Sequence, residues 1–338
     1  MRHAIPTTIA AAIASICLRT AAFALASLCL CASAGAEVVT IKIPHARAIY
    51  PTGLNDKGQV TGYYDVDRTY YGFIWRPPHG ALVTFSVPGV EYTYPRAISP
   101  AGVVTGSYST GRVPEGFVRA ADGTITAFRA PDGRLTDVLG ANKKGWSVGG
   151  YLDKRDAQSH PFFRDPSGVF TELTVPGATS SAAVAINRWR TIAGQTYGPG
   201  AISGFVRSAH GAFTMFGDDS TRVTGMNDAG TIVGWTRPNG PEIGYVRTSD
   251  GTITTFAAPN GAINTVASAL NNTGTVVGWF EDSSNTMHGF IRTADGTFTS
   301  FDPEGSVSTS ITAINDNGVI VGMYKDQNDH FYGFAGTP

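Results

Sequence analysis

A short phrase ending in glycine, as in GTVVG and GVIVG, recurs seven times along this 338-residue chain. Its final glycines are Gly62, Gly106, Gly149, Gly194, Gly234, Gly278 and Gly322, separated by 44, 43, 45, 40, 44 and 44 residues. Self-similarity at such a period marks an array whose units cannot bury their own apolar faces, so that neighbours must cover one another. With 41 glycines and 19 prolines and no stretch of helical periodicity, the array reads as all-β.

Each repeat reads as four strands. The first ends in an apolar residue and Asn, as in TGLN, VAIN and TAIN. A tight turn follows (NDKG, NDAG, NNTG, NDNG), in which Asn, Asp and Gly supply left-handed backbone. The glycine phrase is the second strand, and GFIW, GFVR or GFIR the third. A second turn such as ADGT leads to the fourth, for example TITTF. The last repeat stops after its third strand, at GFAGTP. The segment EVVTIKIP near the other end places Ile41 and Pro44 in the register that fourth strands give to Phe85 and Pro88. An N-terminal strand that completes the last repeat closes a ring and removes exposed edges. An open β-solenoid gives no reason for such a split. The expectation is therefore a seven-bladed β-propeller of four-stranded blades over residues 37–338, one blade centred on each aligned glycine, the last closed by the N-terminal strand.

The third-strand openings and the AINDNGVIVG phrase carry a family likeness. His160-Pro161-Phe162 and His288-Gly289-Phe290 approach a His-Ala-Phe tripeptide, and Tyr71-Gly72-Phe73 and Tyr332-Gly333-Phe334 are degenerate forms. The pattern resembles the HAF family of probable extracellular repeats over essentially all of residues 37–338. The resemblance implies an exported bacterial repeat protein and transfers no reaction and no catalytic set.

Residues 1–36 carry Arg2 and Arg19, an apolar run from Ala21 to Cys31, and small residues at Ala32-Ser33-Ala34 and Ala34-Gly35-Ala36. These are the parts of a cleaved export signal, and the run is too short to span a bilayer. The expected location is periplasmic or extracellular, with no transmembrane segment after cleavage. Cys17, Cys29 and Cys31 all lie in this segment, so the remainder has no disulfide and no thiolate chemistry. The whole chain carries 25 basic and 26 acidic residues with no basic block, which argues against a nucleic-acid partner. A monomer is expected.

The long, variable connections, second strand to third and fourth strand to next first, share one rim, where function is usually carried. One cluster there is aromatic and charged: Tyr50, Arg68, Tyr70, Tyr71, Glu91, Tyr92, Tyr94 and Arg96 in repeats 1 and 2. Flat rings beside charges suit stacking on sugars or gripping a peptide. His45, His160, His288 and His330 fall in the same connections, whereas His79 and His210 lie near the opposite turns. Convergence of His45, His288 and His330, with Asp326 or neighbouring Asp329, Glu281 and Asp282, would make a divalent-metal or proton-transfer site. The alternative is that they are solvated loop residues. No cofactor is expected otherwise, and no H-E-x-x-H, G-x-S-x-G or phosphate-binding glycine loop is present.

Tyr63, Trp235, Trp279 and Met323 each follow an aligned glycine and read as packing between repeats. Arg119, Arg164, Arg207, Arg247 and Arg292 share one repeat position and read as scaffold. Repeat 4 departs most, with INRWRTIAG lacking the turn glycine. The functional expectation is a binding module for a glycan, surface polymer or protein. The alternative is a polysaccharide lyase or hydrolase with His, Tyr, Arg and carboxylates in the central funnel.

Overall fold

The computed structural model of the chain describes residues 37–77, 80–111, 113–198, 203–238, 240–259 and 261–338. The expected export segment and His79 lie outside them. From Val38 to Pro338 the chain is one unit, all-β, without a helix among the described residues. Four separate four-stranded antiparallel meanders occupy Gly133–Glu172, Ser180–Phe216, Arg222–Phe256 and Asn264–Phe301. A twelve-stranded sheet holds the remaining strands. It comprises the meanders Ala48–Phe85 and Tyr92–Phe128 and the three strands of Ser308–Thr337, with Glu37–Ile41 paired onto Phe331–Thr337. Two parallel pairings of a single residue pair each, Ala48 with Phe331 and Tyr70 with Tyr92, join these parts.

The aligned glycine has a steric cause. In every repeat the first strand bulges one residue past the partner of this glycine, for example between Pro51 and Gly53 and between Ala267 and Ala269. The bulge drives the preceding carbonyl into the next strand. A Cβ on Gly278 would stand 2.0 Å from the Val266 oxygen, and one on Gly62 would stand 2.1 Å from that of Tyr50. The third-strand aromatic fills the space behind. Phe73, Phe117, Phe162, Phe205, Tyr245, Phe290 and Phe334 are all buried, and Phe→Ala at such a site costs about 3–5 kcal/mol.

The cores lie between successive repeats. Ile74 and Val87 of repeat 1 meet Ile98, Val104 and Phe117 of repeat 2. Val148, Leu173 and Val175 of repeat 3 meet Ala183, Ile186, Ile192 and Phe205 of repeat 4. Ile41 and Ile43 join Val321 and Ala335 of repeat 7 to Ile49, Val60 and Phe73 of repeat 1, so the first and last repeats share a core like any other pair. The recurring arginines lie over rings at these junctions. Arg119, Arg164, Arg247 and Arg292 sit 5.0, 4.5, 4.8 and 4.9 Å from Phe85, Phe128, Phe216 and Phe256 of the preceding repeat. Leu173 replaces that ring in repeat 3, and Arg207 turns to Phe163 instead, at 5.5 Å.

Asparagines that end the first strands form a ladder around the axis. Each caps its own turn, as Asn271 Oδ1 accepts from the Thr273 and Thr275 amides, and each passes its amide to the next repeat. Asn55 Nδ2 donates to Ser99 O (2.8 Å), Asn142 to Asn187 O (2.9 Å), Asn227 to Asn271 O (3.2 Å), Asn271 to Asn315 O (3.1 Å) and Asn315 to Asn55 O (3.0 Å). Asn187 reaches Asn227 O at 3.5 Å. Repeat 2 carries Ser99, whose Oγ accepts from the Val103 amide of its own turn.

Candidate functional site

The aromatic cluster is assembled by strand alternation. Tyr50 and Tyr63 are directly paired across the first two strands of repeat 1, so their rings share a face and stack at 4.8 Å. Tyr92 and Tyr94 alternate along the first strand of repeat 2, and Tyr70 is drawn to them by its parallel pairing with Tyr92. Tyr63 meets Tyr94 edge-on at 5.2 Å and Tyr70 at 5.7 Å, while Tyr70 lies 5.5 Å from Tyr94 and 5.7 Å from Tyr92. The five half-buried rings thus fill the variable-rim end of the cleft between repeats 1 and 2. Burial raises the phenol pKa of Tyr50, Tyr63 and Tyr94, the last to about 12, so these hydroxyls stay protonated near neutral pH. None of the five hydroxyls has a hydrogen-bond partner among the described residues, although none is sealed from solvent.

Arg96 is the bulge residue of its strand, beside Tyr63 and Tyr94. Its Nε is buried without a partner, and it makes no ion pair among the described residues. The other expected members are placed differently. Tyr71 faces the opposite side of the sheet, stacked on Tyr64 at 5.5 Å against the core between repeats 7 and 1. Arg68 sits with Asp67 at the tip of an exposed turn, both at positive φ (66° and 51°), its amide donating to Asp65 Oδ1. Glu91 is exposed and contributes its carbonyl to the Tyr70 amide.

The histidines are not gathered. His45 is exposed at φ 62° in the turn closed by the Ala46 amide on Ile43 O. His330 lies 3.5 Å from Asp326 and edge-on to Tyr332. His288 stacks on Phe280, with Nδ1 2.7 Å from Asp302 and Nε2 3.6 Å from Asp282. His160 stacks on Tyr151, with Nε2 3.1 Å from Asp156 and Nδ1 3.3 Å from Glu172. Among the described residues one group of three has ligand atoms within 4.8 Å of one another, and it is Asp153, Asp156 and His160. His45, His288, His330 and Asp326 belong to no such group among those residues. Hydrogen bonds from Arg155 hold the Asp153 carboxyl down to about 2, and the Gln158 amide lowers that of Asp156, so both are carboxylates near neutral pH.

A further feature lies at the opposite, tight-turn end. A cavity of about 280 Å³ opens on the axis there, lined by residues of all seven repeats. Lys143 crosses its mouth to Asp56 (2.6 Å) and Asp316 (2.8 Å), and Asn272 donates to Asp228 (3.2 Å) and Asp316 (2.8 Å). Both features were missed in the sequence, yet both left a trace. The residue after each turn asparagine changes sign between repeats, with Asp56, Asp228 and Asp316 against Lys143 and Arg188. Repeat 3 spaces two hairpin aspartates and a histidine as D-x-x-D-x-x-x-H, whereas in repeat 7 His330 directly follows Asp329.

No protein-family model matches the chain, and no curated protein matches it in sequence. Solved structures do. A streptogramin B lyase is 12% identical with a TM-score of 0.61, over 89% of this chain and 98% of that one. A catalytically inactive virginiamycin B lyase from Staphylococcus aureus, with quinupristin, is 14% identical with a TM-score of 0.61, over 90% and 100%. Prolyl oligopeptidase B from Galerina marginata is 11% identical with a TM-score of 0.59, over 85% of this chain and 51% of that one. At such identities the likeness is one of fold, and the fold is that of the β-propellers.

Proposed function

We propose that the chain is an exported, seven-bladed binding module of the HAF extracellular repeat type, which takes a glycan, surface polymer or protein segment on its variable rim. The count of seven treats the twelve-stranded sheet as three blades in contact, since its two parallel junctions are single pairs whereas the antiparallel pairings within meanders hold three to seven. One observation carries the binding reading. Five tyrosines meet at the cleft between repeats 1 and 2 with hydroxyls that have no partner among the described residues, beside an arginine with no carboxylate partner among them. Ring edges and faces offer stacking, and each free phenol offers one hydrogen bond, which suits the alternating apolar and hydroxylated surfaces of a sugar polymer. Arg96 adds a preference for an acidic group. A lyase or hydrolase in the central funnel would need its acid and base groups gathered there from several repeats, whereas each of His160, His288 and His330 is placed by carboxylates of its own repeat or the connection that follows it.

The test is retention on a panel of neutral and acidic polysaccharides, with new chain ends assayed in parallel. Retention without new ends is expected, weakened about tenfold or more in Tyr70→Ala and Tyr92→Ala, because a lost stacking ring at a binding centre costs upwards of 1 kcal/mol. Appearance of new ends would make the protein an enzyme. Retention untouched by both substitutions would move the binding surface elsewhere.

A further inference from the structure

We infer that the hairpin between the second and third strands of repeat 3 is a binding site for a divalent transition metal, with Asp153, Asp156 and His160 as ligands. Imidazole nitrogen with carboxylate oxygen is the donor set of zinc and its neighbours.

The geometry is close to what such an ion requires. Ligands at about 2.0–2.2 Å from a tetrahedral ion stand about 3.4 Å from one another. His160 Nε2 is already 3.1 and 3.4 Å from the two Asp156 oxygens. An Asp153 oxygen lies within 4.8 Å of both other ligand atoms, and Arg155 is the cation now bound to that carboxylate. The Asp153 side chain is 1% exposed, whereas that of Arg155, its side-chain partner, is 69% exposed and comes from the same turn. The guanidinium supplies the positive charge that a bound cation would supply in its place, and its exposure leaves room for it to swing away.

An independent feature fixes which imidazole nitrogen faces the group. His160 Nδ1 is turned to Glu172 on the fourth strand, and Tyr151 donates its hydroxyl to the other oxygen of Glu172 at 2.5 Å. The Tyr151 ring also stacks on the imidazole at 5.4 Å. A carboxylate on the distal nitrogen is the usual orienting partner of a metal-bound histidine: it sets the tautomer and presents Nε2 to the ion. Repeat 6 supplies an internal control. His288 is stacked on Phe280 and held between Asp302 and Asp282 on the same plan, but no second hairpin carboxylate completes a group of three. Three protein ligands leave at least one position for water or a ligand atom on the variable rim.

The experiment titrates the chelator-treated protein with Zn2+ by calorimetry, and with Co2+ followed by its visible spectrum. One ion per chain is expected, with tetrahedral or five-coordinate cobalt bands. His160→Ala and Asp156→Asn should each weaken binding by a factor of ten or more, and Glu172→Gln by about tenfold with stoichiometry unchanged. Arg155→Ala should tighten it, and His288→Ala should leave it as it was. The substituted positions are not core, and a cooperative thermal transition verifies that each variant folds. Absence of binding at 100 µM metal, a concentration chosen on the order of weak surface sites, would overturn the inference. So would binding that survives His160→Ala, or that disappears equally in His288→Ala.

Discussion

Partial burial disfavours a charged imidazole at position 288, yet the hydrogen bond and charge of Asp302, supported by Asp282, outweigh it and hold the His288 pKa above its ordinary value. A pKa raised on folding contributes stability that is fully present below the unfolded value of about 6.5, and that fades as pH rises through the folded one. His288→Gln should therefore lose most against the native protein near pH 5.5, and the gap in denaturation midpoint should narrow by pH 8.5. A gap that ignores pH would show that His288 acts by stacking on Phe280 alone. What single positions show in the sequence follows from how local their causes are. The Gly-Phe pair of the third strands was readable because five of the seven repeats restate it, with Pro161-Phe162 and Gly244-Tyr245 as variants. The side on which Tyr71 lies was not, because it depends on the register of a hairpin whose tip, Asp67-Arg68, occurs once. Arg190 makes the same point: it stands at φ 69° where other repeats place glycine, with its guanidinium over Trp146 at 5.5 Å, a compensation invisible in the phrase INRWR.

At the scale of elements, the first strands do two things. Their bulges force the aligned glycines, and their terminal asparagines tie each repeat to the next. The sequence identified those asparagines as turn formers, which they are. Their second role was hidden because the accepting carbonyl lies 40 to 45 residues away, or 260 where Asn315 returns to Asn55, with no local mark in the sequence. Ser99 interrupts the ladder, so no amide reaches from repeat 2 toward Asn142. Ser99→Asn should complete it and raise stability by about 0.5–1.5 kcal/mol, the net worth of one buried hydrogen bond, read as a shift in urea midpoint at constant slope. Asn271→Ala should cost about 1–3 kcal/mol, since it strands the Asn315 carbonyl as well as its own turn. The metal group belongs to this scale too. Its ligands and the Tyr151 hydroxyl come from one hairpin, but the Glu172 carboxylate that orients His160 comes from the fourth strand of repeat 3.

For the molecule as a whole, the strand Glu37–Ile41 is the piece that the last repeat lacks, as the register of Ile41 and Pro44 had led us to expect. It brings the Ile41 and Ile43 side chains into the core shared by repeats 7 and 1. Each is worth about 1.5–3 kcal/mol of burial, against a total stability for such domains of about 5–15 kcal/mol. Deleting residues 37–43 should lower the melting temperature by more than about 10 °C. It should also cause concentration-dependent association through the uncovered edge of Phe331–Thr337, visible by light scattering. A deletion variant as stable and as monodisperse as the full chain would mean that the strand decorates the ring and does not seal it. Its position also sets a timetable. Residues 38–41 leave the ribosome some three hundred residues before the strand they pair with. Six repeats can stack progressively as they emerge, but this segment must wait unpaired for the seventh, so the final step of assembly joins the oldest part of the chain to the newest.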